Sequence, residues 1–441
     1  MLQLVDLRGR RLVRSELLGL VPRPEVDPVR AAGAAAELID AVRERGEEAL
    51  LDQAARFDGV RPPAIRVPAD EIAEAVGTLP YAVREALETA IARVRRASAA
   101  QVPAGHITVL EDGAEIEQRW QPVGRVGLYV PGGKAVYPSS VVMNVVPAQV
   151  AGVASLAVAS PAQAAFGGRV HPTILGAAGL LGIEEVYAMG GAGAIGALAY
   201  GVPELGLEPV DVLTGPGNVF VAAAKRLVQG RVGIDSEAGP TEILVIADGS
   251  ADPRLVAADL ISQAEHDELA AALLVTDSAE LADAVAERLP GMVASTAASD
   301  RVRTALTGRQ SAVVLVDDLP AAAAFSNAYA PEHLEILTAQ PEEVLPAITD
   351  AGVVFVGPAA PVSLGDYLAG SNHVLPTGGT ARFSSGLGAY TFLRPQQIVR
   401  YSLEALSRSA KRIVALAEEE GLPAHGEAVT ARFPSPSAGE D

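Results

Sequence analysis

The sequence predicts an α/β fold whose main sheets are largely parallel. From about Arg125 onward, short runs rich in β-branched residues alternate with segments of helical spacing, and glycine or proline separates most of them. Strands that alternate with helices form βαβ units, in which helices cover both faces of a parallel sheet. The chain up to about Glu115 and the chain after about Gly386 show helical patterning instead. We therefore expect parallel sheets in the middle of the chain and helical segments at both ends.

The individual elements follow from the spacing of apolar residues. The predicted strands are Val126–Val130, Leu156–Ala159, Glu185–Met189, Val210–Thr214, Ile243–Ala247, Ala272–Val275, Ala312–Val316, Leu334–Leu337 and Val353–Val356. The predicted helices are Pro28–Phe57, Ala69–Ala99, Ile174–Leu181, Val219–Val228, Arg254–His266, Ala279–Arg288, Pro341–Thr349 and Ser402–Glu420. The tail from Pro434 to Asp441 is expected to be frayed. Ligands of such folds bind beyond the carboxyl ends of the strands.

Composition limits the possible partners. The chain has 441 residues, of which 49% are hydrophobic and 20% charged, so it can bury the cores of about two or three domains. Its formal charge of −20 opposes binding to phosphate backbones and to anionic membranes, because an acidic surface repels both. We therefore expect a small-molecule substrate, with neither nucleic acid nor membrane as a partner.

The chain contains no cysteine. This excludes disulfides, thiolate metal sites and a cysteine nucleophile, and it fits a reducing cytosol, so we expect a cytoplasmic location. The N-terminus carries charges throughout and lacks the apolar core of a signal peptide. The most apolar stretch, from Val145 to Ser160, is interrupted by Pro147 and Gly152 and is shorter than the ~20 apolar residues that span a bilayer.

Six histidines occur, and most of them lie in compact polar motifs. These motifs are SQAEH (262–266), APEHLEI (330–336), SNHVLPTGG (371–379) and LPAHG (422–426). His106 and His171 do not lie in polar motifs of this kind, and we interpret them as ordinary surface or core histidines.

Two of these motifs, with one aspartate, offer oxygen and nitrogen ligands for a metal. Gln263 and His266 are three residues apart at the end of a predicted helix, so both project from one face and could reach one cation, although a plain polar helix end has the same pattern. Asp366 follows a strand and a loop, where an α/β fold places binding residues, and His425 lies in the C-terminal breaker. A ligand set without sulfur suits zinc in an open site, with manganese and cobalt as alternatives.

Glu332 and His333 place an acid beside an imidazole at the head of a predicted strand. Neighbours within a strand face opposite ways, so one of them would point inward and the other would be idle. A loop conformation at Pro331 would instead aim both side chains at one site. The sequence leaves both possibilities open.

Three glycine-rich loops suggest a nucleotide-binding domain between about Pro131 and Ala238. MGGAGAIGALAYG contains Gly191-x-Gly193-x-x-Gly196 between a predicted strand and a helix, which is a dinucleotide fingerprint. The acidic ribose partner is not evident, because Asp211 opens its strand rather than closing it. The other two loops are LTGPGNVF, with Asn218 near a helix start, and GLYVPGGKAVYPSS, with Tyr129 before a Gly-Gly turn. Tight turns in a compact α/β domain are the alternative interpretation.

Taken together, these motifs resemble the histidinol dehydrogenase family. The shared segments, in the family's order, are GLYVPGG, MGGAGAIGALAYG, TGPGN, AGPTE, DLISQAEHD, APEHLEI, SLGDYLAGSNHVLPTGG and LPAHG, and they extend from about Val126 to His425. The resemblance implies an α/β fold of two incomplete Rossmann-like domains with parallel sheets flanked by helices, plus small helical terminal segments, in an intertwined homodimer with shared active sites. The implied domains are an N-terminal arm (1–25), a discontinuous substrate and metal domain (26–130 and 239–386), a nucleotide-binding domain (131–238) and a C-terminal helical segment crossing the dimer (387–441).

The resemblance also implies roles for single residues. The positions that match the family's zinc ligands, one zinc per subunit, are Gln263, His266, Asp366 and His425, the last donated by the other subunit. Its two proton acceptors match Glu332 and His333. The other substrate-binding positions match Thr241, His373 and Glu420, with Glu420 also crossing the dimer, and the zinc-ligand positions and His333 contact substrate as well. The NAD-binding positions match Tyr129, Asn218 and Gly193.

The implied reaction is a four-electron oxidation of L-histidinol to L-histidine through L-histidinal with two NAD⁺. Because the chain has no cysteine, the aldehyde must be attacked by water, which needs a positioned base. We expect His333 to take the alcohol proton, Glu332 to activate water on the aldehyde, and zinc to orient this small amino alcohol.

Gly193 departs from the family pattern, which usually has a nucleotide-contacting glutamine there. The chain after Leu387 also matches the family only loosely. A related zinc- and NAD-dependent dehydrogenase acting on another small substituted alcohol is therefore the alternative, and His373 and Glu420 argue against it. A binding protein that lost the chemistry is a third possibility, which intact Glu332 and His333 oppose.

Overall fold

The computed structural model describes residues 1–10, 13–24, 28–132, 136–237 and 239–434. The expected frayed tail lies outside the described residues from position 435 onward, as do positions 133–135 of one glycine-rich loop. The chain forms two compact units. The first comprises Met1–Gln101 and Val123–Phe392, and the second comprises Val102–Pro122 and Leu393–Asp441.

Strands and helices alternate along most of the first unit, and the bounds that follow cover both units. The strands are β1 (Gln3–Asp6), β2 (His106–Glu111), β3 (Ala114–Pro122), β4 (Arg125–Tyr129), β5 (Ser155–Ser160), β6 (Val186–Ala188), β7 (Val212–Thr214), β8 (Gly233–Ile234), β9 (Glu242–Ala247), β10 (Ala271–Thr276), β11 (Ala312–Leu315), β12 (His333–Leu337), β13 (Val353–Val356) and β14 (Leu393–Tyr401). The helices are α1 (Arg14–Leu20), α2 (Pro28–Arg45), α3 (Glu47–Phe57), α4 (Ala69–Thr78), α5 (Tyr81–Ala99), α6 (Pro138–Ala151), α7 (Pro172–Leu180), α8 (Gly191–Tyr200), α9 (Val219–Val228), α10 (Pro253–Ala264), α11 (Ala279–Ala294), α12 (Ser299–Thr307), α13 (Leu319–Tyr329), α14 (Pro341–Val344), α15 (Val362–Tyr367), α16 (Leu403–Glu419) and α17 (Pro423–Thr430).

A six-stranded parallel sheet has the order β1-β11-β10-β9-β12-β13. Its central strand β9 is buried on both faces, because alternate residues enter different cores. Ile243 and Val245 pack with α10, α11 and α12, whereas Leu244 and Ile246 pack with α13. Both faces of this strand therefore exclude water, and the site can form only where the strand begins or ends.

A five-stranded parallel sheet has the order β6-β5-β4-β7-β8. Helices α8 and α9 pack against α2, while α6 and α7 pack against α5 and α4. The chain leaves β4 to β5 on one side and later returns to β7 on the other side. The crevice beyond the carboxyl ends of β4 and β7 is therefore the topological switch point of this sheet.

The strand pairing changes the expected domain bounds. β4 belongs to the five-stranded sheet although it precedes position 131, and α2 to α5 pack with that sheet rather than with the six-stranded one. The N-terminal arm supplies β1, which pairs with β11 of the six-stranded sheet. The functional division into nucleotide and substrate domains stays a proposal.

The second unit corrects the helical expectation for 106–115 and for the start of the C-terminal segment. Its sheet, in the order β14-β3-β2, is antiparallel. β2 is exposed along its whole length and β14 over most of it, and the apolar residues of each, such as Ile107 and Val109 of β2, are too few to reveal a strand by their alternation. The predicted helix Ser402–Glu420 is confirmed as α16.

Proline and glycine explain where other predicted helices stop. Pro28–Phe57 divides at Gly46, which has φ 54°, and Ala69–Ala99 divides at Pro80. The helix expected at Pro341–Thr349 ends at Val344 and continues as a 3₁₀ turn, because Pro346 cannot donate a backbone hydrogen bond. No helix in the described ranges is long and apolar enough to cross a membrane.

A buried ion pair anchors the loop after β7. Lys225 of α9 pairs with Asp235, and both side chains are almost completely buried. Lys225 Nζ also donates to the Gly215 carbonyl (3.1 Å), while the Gly215 N–H donates to Asp235 Oδ2 (2.9 Å). The pair therefore fixes the backbone at the start of the loop that ends in Asn218.

Replacing Lys225 with Met leaves Asp235 buried without its cation, so we expect the free energy of unfolding to fall by about 3–5 kcal/mol. The matched control is Arg226→Gln, which breaks the more exposed pair with Glu237 on the same helix and should cost about 1 kcal/mol or less. Urea denaturation followed by far-UV circular dichroism measures both. Equal losses for the two variants would contradict this account.

Candidate active site

Glu332 and His333 converge on the first residue of β9. The carboxylate Oε2 of Glu332 accepts hydrogen bonds from the Thr241 hydroxyl (2.6 Å) and the Glu242 N–H (2.9 Å). His333 Nδ1 lies 3.0 Å from the Glu242 carbonyl oxygen and 3.5 Å from Glu332 Oε2. Of the two possibilities that the sequence left open, the structure shows the second, in which both side chains face one place.

The loop before β12 makes this convergence possible. β12 begins at His333, so Glu332 is not bound by the alternation of a strand. The helix α13 is capped at its C-terminus by Ala330, which has φ 53° and is the one non-glycine residue with positive φ in the described ranges. That left-handed residue ends the helix and redirects the chain into Pro331 and Glu332, just before β12.

Burial shifts the pKa values of both Glu332 and His333. Burial raises the pKa of Glu332 to about 8, and the hydrogen bonds from Thr241 and Glu242 partly oppose this effect. Burial lowers the pKa of His333, against the attraction of the Asp366 carboxylate. At neutral pH the imidazole is therefore uncharged and able to accept a proton.

Gln263 presents an unsatisfied oxygen next to these groups. It lies on α10 and is buried, and its Nε2 donates to the Thr241 hydroxyl (2.5 Å). Thr241 thus connects Gln263 to Glu332. The Oε1 of Gln263 is buried without a hydrogen-bond partner, which is costly for a carbonyl oxygen unless a cation or another donor meets it.

His266, Asp366 and His373 belong to the same electrostatic neighbourhood. Burial lowers the pKa of His373, the Asp366 carboxylate opposes this, and His333 and His266 lower the pKa further. The rings and the carboxylate therefore lie within reach of one another's charges. His266 is exposed one residue past the end of the α10 cap, and Asp366 is half-buried in α15.

Sequence reasoning missed two residues of this region. Ser140 of α6 places its hydroxyl 3.0 Å from His373 Nε2, while His373 Nδ1 lies 2.9 Å from the Asp366 carbonyl oxygen. Glu242 supplies both backbone groups that hold Glu332 and His333. Neither residue has a local signal, because one is a serine at a helix start and the other lies in a strand.

Two expected residues belong to the second unit. Glu420 ends α16 and His425 lies in α17, and both are exposed there. Across the described parts of the chain, no three His, Asp or Glu side chains gather closely enough to hold a metal ion. The histidines expected to be ordinary have plain surroundings, since His106 is exposed on β2 and His171 caps α7 by accepting from the Thr173 N–H.

Tyr129 and Asn218 flank the switch point of the five-stranded sheet. Tyr129 ends β4 and is buried, and its hydroxyl accepts from the N–H of Gly191 (3.2 Å), the first residue of α8. Burial raises the pKa of Tyr129 to about 12, so the phenol stays protonated. Asn218 caps α9 through its side-chain oxygen, which leaves its amide N–H groups to meet a ligand.

The glycine fingerprint serves helix packing as well. A Cβ at Gly193 would overlap the side-chain oxygen of Gln53 on α3, and a Cβ at Gly196 would lie 3.2 Å from the Cα of Ile39 on α2. Gly196 therefore lets the backbone of α2 lie against α8, whereas Gly193 accommodates the movable end of the Gln53 side chain. The expected nucleotide-binding role of Gly193 stays a prediction. Its position against the Gln53 side chain is a physical reason for a small residue there.

The histidinol dehydrogenase family model matches residues 21–433. The chain belongs to the histidinol dehydrogenase family. Among its relatives, histidinol dehydrogenase from Leifsonia xyli subsp. xyli is 70% identical over 432 residues, 98% of this chain and 99% of that protein. Histidinol dehydrogenase from Nocardia farcinica is 58% identical over 432 residues, 97% of each chain. This family member is thus an oxidoreductase of histidine biosynthesis.

A solved histidinol dehydrogenase confirms the fold. The crystal structure of histidinol dehydrogenase from Elizabethkingia anophelis matches with a TM-score of 0.90 and 32% identity, covering 98% of each chain. The α/β class with parallel sheets flanked by helices, expected from the sequence, is therefore confirmed.

The pH dependence of stability tests the environment of Glu332. Its pKa in the folded protein lies above its ordinary value of 4.5, so its contribution to stability is complete below 4.5 and is lost as pH rises towards about 8. Glu332→Gln removes this titration. In chelator-treated protein, we expect the variant to gain stability relative to wild type between about pH 5 and pH 8. A difference that stays constant over this range, measured by urea denaturation, would show that burial does not raise this pKa.

Proposed function

We propose that this chain oxidises L-histidinol to L-histidine through L-histidinal, using two NAD⁺ and one zinc ion per subunit. The observation that carries the proposal is the meeting of Glu332 and His333 at Glu242, beside the unsatisfied oxygen of Gln263. This arrangement provides two proton acceptors next to a candidate metal ligand. A four-electron oxidation of an alcohol needs such a pair, one for each oxidation.

The residues present fit a zinc ion. The buried Oε1 of Gln263 needs an electropositive partner, and Asp366 and His266 lie in the same electrostatic neighbourhood. Because no three acidic or histidine side chains of the described chain form a ligand group, we propose that His425 of the partner subunit completes the set. When bound, zinc holds the imidazole and amine of the substrate.

The switch point of the five-stranded sheet supports the nucleotide site. Tyr129 and Asn218 follow the adjacent parallel strands β4 and β7, and α8 and α9 begin there with their N–H groups. When bound, NAD⁺ accepts the hydride of each oxidation. The neutral phenol and the amide can offer hydrogen bonds without adding negative charge beside a pyrophosphate.

His333 has the tautomer that a proton acceptor needs. The Glu242 carbonyl can only accept, so the Nδ1 that faces it must carry hydrogen. The Nε2 atom is then left with a lone pair, and the lowered pKa keeps the ring neutral at physiological pH. We propose that Nε2 takes the hydroxyl proton of the alcohol as its carbon loses hydride.

Glu332 is proposed to act in the second oxidation. Since the chain has no cysteine, water must add to the aldehyde, and an ionised carboxylate takes the proton from that water. Thr241 and the Glu242 N–H hold one oxygen, which leaves the other to face the water. Because the pKa of Glu332 is raised to about 8, the ionised fraction of its carboxyl increases with pH, and the rate of aldehyde oxidation increases with it. A cation bound nearby would lower this pKa.

A homodimer with shared sites is part of the proposal. Glu420 and His425 of the partner subunit would complete the substrate and metal positions. The second unit exposes large apolar side chains that a subunit interface would cover. They are Val102, Ile107, Val109, Leu110, Val399, Tyr401, Leu403, Leu416 and Leu422. We also propose a cytoplasmic location for this biosynthetic enzyme.

The alternative substrate, another small substituted alcohol, rested on Gly193. Gly193 lies against the end of the Gln53 side chain of α3, so packing offers a second explanation for the missing glutamine. A changed substrate is therefore not needed to explain this departure, and histidinol is the favoured substrate.

The stoichiometry of NADH tests the proposed function. We expect two NADH per histidinol consumed, no NADH after treatment with a chelator, and recovery on addition of zinc. Simple diols should give turnover that is lower by at least about two orders of magnitude, because they lack the imidazole and amine. One NADH per histidinol, or equal turnover on diols, would contradict the proposal.

Glu332→Gln should separate the two oxidations. Because the amide cannot take a proton from water, we expect single-turnover reactions to release the first NADH at close to the wild-type rate and the second about 100-fold or more slowly. Glu335→Gln is the matched control, since Glu335 is also buried on β12 but lies beside Asp259. Equal slowing of both steps in Glu332→Gln would show that Glu332 is not the base of the second step.

A further inference from the structure

Glu242 links the two proton acceptors to the N-terminal arm. Its backbone N–H and carbonyl hold Glu332 and His333, while its side chain is 3% exposed and pairs with Arg23. A buried carboxylate needs a cation and hydrogen bonds. Arg23, which follows α1, supplies both.

Arg23 contacts both Glu242 and Tyr329, the last residue of the helix that precedes Glu332. Its Nε lies 2.5 Å from Oε1 of Glu242, and its Nη2 lies 3.0 Å from Oε2, a bidentate pair. The same Nη2 donates to the Tyr329 carbonyl (2.6 Å), and the guanidinium stacks 3.9 Å above the Tyr329 ring. Tyr329 ends α13, and the chain reaches Glu332 three residues later.

We propose that Arg23 is a positioning residue for the reaction, which sets the geometry and the charge around Glu332 and His333 through Glu242. The proposal rests on the proposed function of those two residues. One guanidinium ties together the start of β9 and the end of α13, which are the two backbone segments that carry the acceptors and their hydrogen-bond partners. It also neutralises the carboxylate of Glu242, whose negative charge acts on Glu332.

The electrostatic part of the proposal has a definite sign. The titratable groups that act on Glu332 are Glu242 from β9, which raises its pKa, His266 from the end of α10, which lowers it, and the adjacent His333. Without Arg23 the charge of Glu242 is uncompensated, so Glu332 becomes harder to ionise. Without the charge of Glu242, Glu332 becomes easier to ionise. A residue that only anchors the arm would produce neither shift.

The test compares Arg23→Gln, Glu242→Gln and the double variant in the zinc-loaded dimer. For oxidation of histidinal, we expect the pH midpoint to move to higher pH in Arg23→Gln and to lower pH in Glu242→Gln, with the double variant close to wild type. At pH 7 we expect kcat of Arg23→Gln to fall about tenfold for each unit of the shift, with KM within about twofold. An unchanged midpoint in both single variants would overturn the proposal.

Arg125→Gln is the matched control, because it breaks another mostly buried arginine–glutamate pair, with Glu185, at the start of β4 in the other sheet. It should lower the melting temperature without moving the pH midpoint. The pH dependence of unfolding in the same variants reports the pKa of Glu332 without any turnover. If wild type forms no NADH from histidinol, the proposed function fails. In that case, the effect of Arg23 on the charge of Glu332 is still supported if the curves of unfolding free energy against pH shift in opposite directions for Arg23→Gln and Glu242→Gln. It is overturned if they do not.

Discussion

The parallel pairing of β9 with β12 is the constraint on which the site depends. His333 is paired with Ile243, so the residues that precede these two positions, Glu332 and Glu242, meet at the same edge of the sheet. The backbone of Glu242 can then hold one acceptor by its N–H and the other by its carbonyl. A shift of one residue in this register would separate both contacts, because it would turn every side chain to the opposite face.

Buried polar groups give this edge its chemical character. Each is held by a neighbour that leaves one atom free: Glu332 keeps one oxygen, His333 keeps Nε2, and Gln263 keeps Oε1. Burial makes these free atoms reactive, since desolvation holds the imidazole neutral and raises the pKa of the carboxyl. The hydrophobic packing of β9 on both faces offsets the free-energy cost of burying these polar groups.

The two sheets divide the work by topology. The six-stranded sheet places Glu332 and His333 where β9 and β12 begin, whereas the proposed nucleotide site lies at the switch point where β4 and β7 end. Ser140 of the second sheet's layer touches His373 of the first, so the layers meet at the site. On the other side of α8, Gly196 lets α2 approach closely, because a Cβ there would lie 3.2 Å from the backbone Cα of Ile39.

The sequence by itself determined the alternation of strands and helices, because buried parallel strands are short apolar runs and helices have a 3.6-residue period. It also pointed to Gln263, Glu332 and His333 through their motifs. It did not reveal the exposed strands β2 and β14, whose few apolar residues are too short a pattern to indicate a strand. Only the tertiary structure decided that Glu332 and His333 face one place, and that Arg23 lies against Glu242, 219 positions away in the chain. Such contacts depend on strand register and on backbone torsion at Ala330, which no local pattern of residues encodes.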